Sequence, residues 1–402
     1  MLRDLADDTK TPTAAGTSTG RETAPVYADA LDVANTLTPD GPVFCYSAQA
    51  LERQTQMFLT GFPGEVTYAV KANPSPEIIR TLSRHGMTTF DVASPAEMIL
   101  VRTEAPEAGL HYHNPVKSRD EIAQAYHRFG IRHFAADDEA ELHKLASTIA
   151  DRSAVEAVIR FRSGKNRAVH DFSTKFGAEP DHAAGLLKLA NNLGFELALT
   201  FHPGSQCLDA RSYVENIEAA GEICRKAGLK IGRLNVGGGF PVAYPGEAVP
   251  PLAEFFSAIS DAATGVFGPD HPALVAEPGR ALVAGCTSLL ARVKHRRPHN
   301  DDLFLNDGIY GAFMELTQAP VDLPCRAIRN GRVLEGPKQA FTLYGPTCDP
   351  LDRLPNPFVL PANVADGDWI EFGMVGAYGA ATVTRFNGYG AIPGVAVDTV
   401  VS

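Results

Sequence analysis

The run Val66 to Val70, "VTYAV", is β-branched, aromatic and apolar and reads as a buried strand, and Lys71 follows it directly. An ammonium is seldom buried without a partner, and stripping one of water is costly. A lysine at that point suits covalent chemistry with an aldehyde, because burial would lower its pKa and free the amine as a nucleophile. Other reactive types end similar apolar runs: Asn73, Asp91, Asn114, Arg160 and His202, then Gly237, Gly238 and Gly239 of "NVGGGFP", then Glu277, Gly279 and Arg280 of "AEPGR". Bare glycine amides let a phosphate approach, and an arginine adds a charge-assisted bond. Each feature has a plainer reading. Three glycines make a tight turn, Lys71 can snorkel, Glu277 can pair only with Arg280, and His202 can be a satisfied core histidine. Their convergence is what points to pyridoxal phosphate. Lys71 would hold the aldehyde as an imine, Glu277 would keep the ring nitrogen protonated, and His202 would lie against the ring face.

These residues need a scaffold that gathers strand ends. From about residue 47 to 283, eight apolar runs alternate with amphipathic helical stretches: "VTYAV", "TTFDV", "GLHYH", "IRHFAA", "EAVIRF", "LALTFH", "GRLNV" and "PALVAE". Several of the helical stretches open with Ser, Asp or Pro and close with Gly. Strands alternating with helices imply parallel units, and eight imply a (β/α)8 TIM-type barrel whose chemistry sits at the C-terminal strand ends, with phosphate after strands seven and eight. A further helix is expected at about Ala48 to Leu59. After about residue 284 helical periodicity fades. Short pieces such as "CTSLLARVKH", "DLFLND", "PCRAIRNGR", "DWIEFG" and "AATVTRF" predict an antiparallel β domain, which "PVFCY" (Pro42 to Tyr46) would join. The expected division is a barrel over 47–283 and a β domain over 25–46 plus 284–402. Residues 11–24 are small and polar, so 1–24 is expected to be a disordered tail.

Bulk composition narrows the function. The chain has 402 residues and a formal net charge of -11, which argues against a general nucleic-acid or anionic-membrane surface. Cys45, Cys207, Cys224, Cys286, Cys325 and Cys348 are scattered without metal-ligand spacing, so no metal site is expected and the thiols read as reduced in a cytoplasmic protein. The first ten residues lack a secretory pattern, and no apolar run approaches about 18 residues.

Seven ordered motifs, "YAVKAN", "FDVASPAE", "HPGSQ", "NVGGGFP", "AEPGR", "YGPTCDPLDRL" and "GAYGAATVTRFNGYG", resemble the fold type III pyridoxal-phosphate decarboxylases. That family includes the ornithine, diaminopimelate and lysine decarboxylases. The likeness covers about residues 42 to 391, and "GPTCD" followed by "LDR" is nearest the ornithine branch. The resemblance implies a lyase that converts an L-amino acid with a cationic side chain, of the ornithine or lysine type, to its amine and CO2 for polyamine biosynthesis. It implies that Lys71 carries the imine, that His202 stacks on the ring, and that Glu277 binds the ring nitrogen. Ser205, Gly238, Gly239, Gly279, Arg280 and Tyr378 would hold the phosphate side, and Asp91, Glu97 and Arg160 would line the cofactor pocket. Cys348 would protonate the substrate carbon, with Asp349, Thr317, Glu315 and Phe386 on the substrate side. Cys348 and Asp349 would come from the partner in a homodimer, with Lys175 and Asp352 forming a cross-subunit ion pair.

The match has departures. Thr317 aligns where ornithine enzymes of the family carry a second acid, with Glu315 or Asp322 as substitutes if the register slips. "HPGSQ" carries Pro203 where valine is common. A sulfonium-bearing substrate such as S-methylmethionine, or a diaminopimelate-like one, is the alternative for the substrate. A racemase would be expected to lack the "GPTCD" loop, and a non-catalytic regulatory homologue would be expected to lose Lys71 or Cys348. Both residues and the loop are present.

Overall fold

Each of the eight apolar runs is a strand of one closed parallel barrel, in which the eighth strand pairs back to the first. In order the strands are Glu65–Ala69, Thr89–Val92, Gly109–Tyr112, His133–Ala136, Glu156–Arg160, Glu196–Thr200, Arg233–Asn235 and Ala273–Ala276. The computed structural model describes residues 25–162, 175–319 and 321–402, so the expected tail at 1–24 lies outside the described residues. Parallel strands covered by helices are buried on both faces, which is why they read as unbroken apolar runs. The first strand stops at Ala69, and Val70–Ala72 form one tight helical turn that lifts Lys71 off the strand. The helix before the barrel runs Ala48–Gly61, with the Ser47 hydroxyl accepting from the Ala50 amide at its start. Helix Arg211–Ala227 ends at Gly228 in the left-handed conformation with Arg225 and Lys226 in its last turn, a favourable arrangement for the exposed carbonyl end.

The remaining chain forms a sheet domain. Strand Val43–Tyr46 lies between Thr287–Arg296 and Gly394–Val397, so the early piece does join the late ones. The expected antiparallel sheet is mixed. Val26–Tyr27 with Gly394–Val397, Gly394–Val397 with Val43–Tyr46, and Asp302–Leu305 with Lys338–Tyr344 all pair in parallel. These partners are far apart in sequence, so no hairpin turn imposes an antiparallel direction on them. "AATVTRF" is not a strand. Its backbone folds into turns in which the Thr382 amide bonds Tyr378 O and the Thr384 amide bonds Tyr310 O, leaving no ladder for a sheet partner.

Strand Lys338–Tyr344 and its antiparallel partner Phe358–Pro361 bracket the loop that bears Cys348 and Asp349. Asp352 holds that loop. It is 1% exposed and accepts from the amides of Ile309 (3.0 Å) and Thr347 (3.0 Å) and from the Thr347 hydroxyl (2.7 Å). A Cβ at Gly308 or Gly345 would lie 2.1 Å from its Oδ1, so both glycines are required for this close approach. Asp352 is thus engaged within its own chain. Asp352→Ala strands the buried Ile309 amide, at a cost of about 1–3 kcal/mol, and the half-buried Thr347 amide. The variant is expected to lower the chemical-denaturation midpoint and to make the 345–357 loop the first site of limited proteolysis. An unchanged midpoint would show that the loop is held by other contacts.

Candidate active site

Two separate parts of the chain meet at the barrel rim. The Tyr378 amide bonds Ala72 O over 2.7 Å, and Asn73, itself buried, donates from Nδ2 to Gly376 O over 2.8 Å. These bonds clamp the C-terminal loop onto the turn that carries Lys71. The result is a cavity of about 560 Å³ whose lining includes Lys71, Arg160, His202, Glu277, Arg280 and Tyr378. On one side, Gly238, Gly239 and Gly279 present bare backbone. A Cβ at Gly239, where φ is +86°, would lie 2.1 Å from Gly204 O, and one at Gly238 would lie 2.5 Å from Glu277 O. Arg280 is buried beside them. Its Nε donates to Ser205 Oγ (3.3 Å), its Nη1 to Tyr244 Oη (3.0 Å), and its Nη2 pairs with Glu315. Its guanidinium lies 5.1 Å from the Tyr378 ring centre.

The charges of the site differ from the sequence expectation at one key group. Lys71 stands in the open cavity, exposed to it, yet with protein on every side. Burial pushes its pKa down, but Asp91, Tyr378 and Glu277 more than reverse this, so the net shift is upward and not the expected downward one. His202 does behave as a neutral ring: burial, then Lys71 and Arg160, lower its pKa to about 3, and its Nδ1 accepts from the Gly204 amide at 3.0 Å. Burial raises Asp91, and its carboxylate neighbour Glu277 adds to that rise. Burial would raise Glu277 too, but His113, Lys71 and Asn235 hold it below the usual carboxylate range.

The structure brings together most of the expected residues. Lys71, Arg160, His202, Ser205, Gly238, Gly239, Glu277, Gly279, Arg280, Tyr378 and Glu315 line the main cavity. Asp91 lines a side cavity of about 190 Å³ that shares Lys71, Arg160, His202 and Glu277. Glu97 lines neither; its Oε2 accepts from the Ala93 amide at 2.7 Å at the start of helix Pro95–Glu104. Thr317 is also outside. It is exposed, and its hydroxyl donates to Met314 O within the short helix Met314–Gln318, which turns Gln318 and Ala319 to the cavity instead. Asp322 is exposed and does not line the cavity.

Cys348, Asp349 and Phe386 form a second group, outside this chain's own cavity. Cys348 is exposed, and Asn387 Oδ1 accepts from its amide (3.2 Å) and thiol (3.3 Å). Tyr310 donates to Asp349 Oδ2 over 2.6 Å and packs on Phe386 with ring centres 4.7 Å apart. Sequence reasoning missed His113, Asn235, Tyr244 and Gln318. For His113 a signal was present: "LHYHNP" puts histidines two apart at a strand end, which places both on the inward face.

Residues 48–284, more than half of the chain, match the family model described as pyridoxal-dependent decarboxylase, pyridoxal binding domain. The chain belongs to that family. It is 32% identical over 356 residues to the lysine/ornithine decarboxylase of Selenomonas ruminantium, covering 87% of each chain. Among solved structures, it resembles the lysine/ornithine decarboxylase of Vibrio vulnificus complexed with putrescine, at 28% identity and TM-score 0.79, over 91% of this chain and 97% of that one. It also resembles the arginine decarboxylase of Paramecium bursaria Chlorella virus bound to agmatine, at 25% identity and TM-score 0.82, over 91% and 99% of the two chains. This decarboxylase uses pyridoxal phosphate, and the residues present fit that cofactor: an amine stands in a cavity beside a glycine cradle that side chains would fill and a buried arginine. Gly239→Ala forces a side chain into a left-handed backbone and against Gly204 O, costing at least about 1–2 kcal/mol. It is expected to raise the Kd for pyridoxal phosphate about tenfold or more in a fluorescence titration. An unchanged Kd would remove the glycine turn from the phosphate site.

Proposed function

We propose that this decarboxylase acts on an L-amino acid with a cationic side chain, ornithine or lysine, in a site that two copies of the chain complete together. The observation that carries the proposal is the Cys348–Asp349 pair. A thiol and a carboxylate stand side by side on a loop that their own cavity does not contain. Asp349 is held ionised by the Tyr310 hydroxyl and the Leu351 amide. Such a carboxylate suits a distal ammonium, and the neighbouring thiol suits proton delivery. A homodimer that turns this loop to the partner's cavity would use both.

In this reading Lys71 holds the cofactor aldehyde, Glu277 its ring nitrogen, and Ser205, Arg280 and the glycine turns its phosphate. When bound, the cofactor accepts the electron pair released as the Cα–carboxylate bond breaks. His202, neutral near pH 7, packs on a ring face without adding charge to it. Cys348 gives its proton to Cα once CO2 has left. The products are the amine and CO2, and a diamine product places the enzyme in polyamine synthesis. In the same reading the enzyme acts in the cytoplasm; among the described residues no helix is long and apolar enough to cross a membrane.

At the side-chain end the chain's own wall is weakly acidic. Gln318 and Ala319 are neutral, and Glu315 is engaged by Arg280. Recognition of the ammonium therefore falls chiefly on Asp349. The neutral wall is also the one feature that favours a sulfonium-bearing substrate as the second reading. CO2 release from a panel of ornithine, lysine, arginine, diaminopimelate and S-methylmethionine separates these. Ornithine or lysine is expected to give the highest kcat/KM, and Asp349→Asn is expected to lower it about tenfold or more for substrates that carry the distal ammonium. A best substrate without a distal ammonium would overturn the reading.

Site sharing has its own test. Lys71→Ala and Cys348→Ala proteins, each expected to be inactive alone, are mixed under subunit exchange. Activity should recover to about a quarter of wild type, because half of randomly re-paired dimers carry one intact site. No recovery, with exchange confirmed by mass spectrometry, would place both residues in one chain's site.

A further inference from the structure

His113 follows barrel strand three, two residues beyond His111 on the same inward face. It is buried, and its Nδ1 bonds Glu277 Oε1. Asn235, on strand seven, donates from Nδ2 to the same oxygen over 2.5 Å. Asn235 is itself fixed, because its Oδ1 accepts from the Gly237 amide at 2.8 Å. Two donors from two different strands thus converge on Oε1. Glu277 also lines both cavities, and neither of these bonds uses its Oε2.

We propose that His113 is a positioning residue for the decarboxylation: by donating to Oε1 it orients Glu277 so that Oε2 meets the cofactor ring nitrogen as a carboxylate. The proposal rests on the reading that Glu277 faces that nitrogen. The surroundings of His113 are consistent with an imidazole that donates. Asp91 Oδ1, on strand two, lies 3.7 Å from its Nδ1, and the His111 ring centre on its own strand is 5.3 Å away. Glu156 on strand five acts at longer range, and Lys71 and Arg160 share the side cavity with His113. Burial pushes the His113 pKa down, but Glu277 and Asp91 more than reverse it. In return, His113 is the strongest influence holding Glu277 down against its own burial.

The consequence has a definite sign. Without the imidazole, the strongest influence opposing burial is gone, and only Lys71 and the Asn235 amide still hold Glu277 down. Glu277 then takes a proton more readily toward the acid end of the range, and the ring nitrogen loses its anionic partner there. His113→Ala, His113→Gln and Glu277→Gln holoenzymes are compared with wild type from about pH 6 to pH 9, by kcat, KM and the absorbance of the bound cofactor. Loss of a supporting hydrogen bond of this kind typically costs about 10–100-fold. His113→Ala should therefore lose about that much in kcat at the acid end with KM little changed, and the loss should shrink as pH rises. Its cofactor absorbance should titrate over the same range where that of wild type is flat. His113→Gln keeps an amide donor but cannot carry charge, so its deficit should be smaller and should show the same pH trend. Should His113→Ala fail to fold, His113→Gln decides alone, and a His113→Gln protein identical to wild type at every pH overturns the proposal. A His113→Ala deficit that is equal at all pH, with a flat spectrum, also overturns it. If Glu277→Gln matches wild type in rate and spectrum, the placement of Glu277 at the ring nitrogen fails and the role of His113 with it. If Glu277→Gln collapses while the His113 variants behave as wild type, only the role of His113 fails.

Discussion

Four cations, Lys71, Arg160, Lys175 and Arg280, line one cavity against two carboxylates, Glu277 and Glu315. Like charges in a poorly solvated site repel strongly, and the surrounding arrangement manages that repulsion. Glu315 pairs with Arg280, Tyr244 and Ser205 accept from the same guanidinium, and His202 stays uncharged. In the proposed reading, the cofactor's phosphate dianion would bring the missing negative charge to the same corner. The chain as a whole is acidic, so this local excess is a property of the rim and not of the molecule.

The sheet domain contributes what a barrel cannot. Barrel strand ends are fixed in space and offer one or two residues each. The sheet joins chain from before the barrel to chain from far beyond it through strand Val43–Tyr46. From that platform one loop reaches back to dock Tyr378 on the turn bearing Lys71. A second loop, tied by buried Asp352, holds Cys348 and Asp349 away from their own cavity. The two loops touch through Tyr310, which bonds Asp349, packs on Phe386 and accepts from Thr384. A shift in either loop is therefore felt by the other.

The barrel was legible because its strands are buried on both faces and its helices carry start and stop residues, both local signals. The five-residue helix Met314–Gln318 was not, because so short an element has no phase that periodicity can reveal. Thr317 was placed inward from alignment alone, and its hydroxyl bonds back to Met314 O and faces out. "AATVTRF" has strand composition, but its backbone groups find partners in Tyr378 and Tyr310 before any sheet edge is reached. The mixed direction of the sheet was equally hidden, since direction depends on where distant strands enter.

By itself the sequence determined the chemistry available: an amine after the first barrel strand, glycine turns with an arginine after the last two, and a thiol beside a carboxylate in a late loop. These depend on residue type and on short spacing, which the chain order states outright. Tertiary structure alone decided how those groups act. The partner of Glu277 is His113, 164 residues away, and the residue that Asn73 clamps is Gly376, 303 residues away. It decided the sign of the Lys71 shift too, because that sign is a contest between burial and carboxylates from other strands. Electrostatic and hydrogen-bond effects fall off over a few ångströms in space, and sequence distance carries no record of which residues come that close.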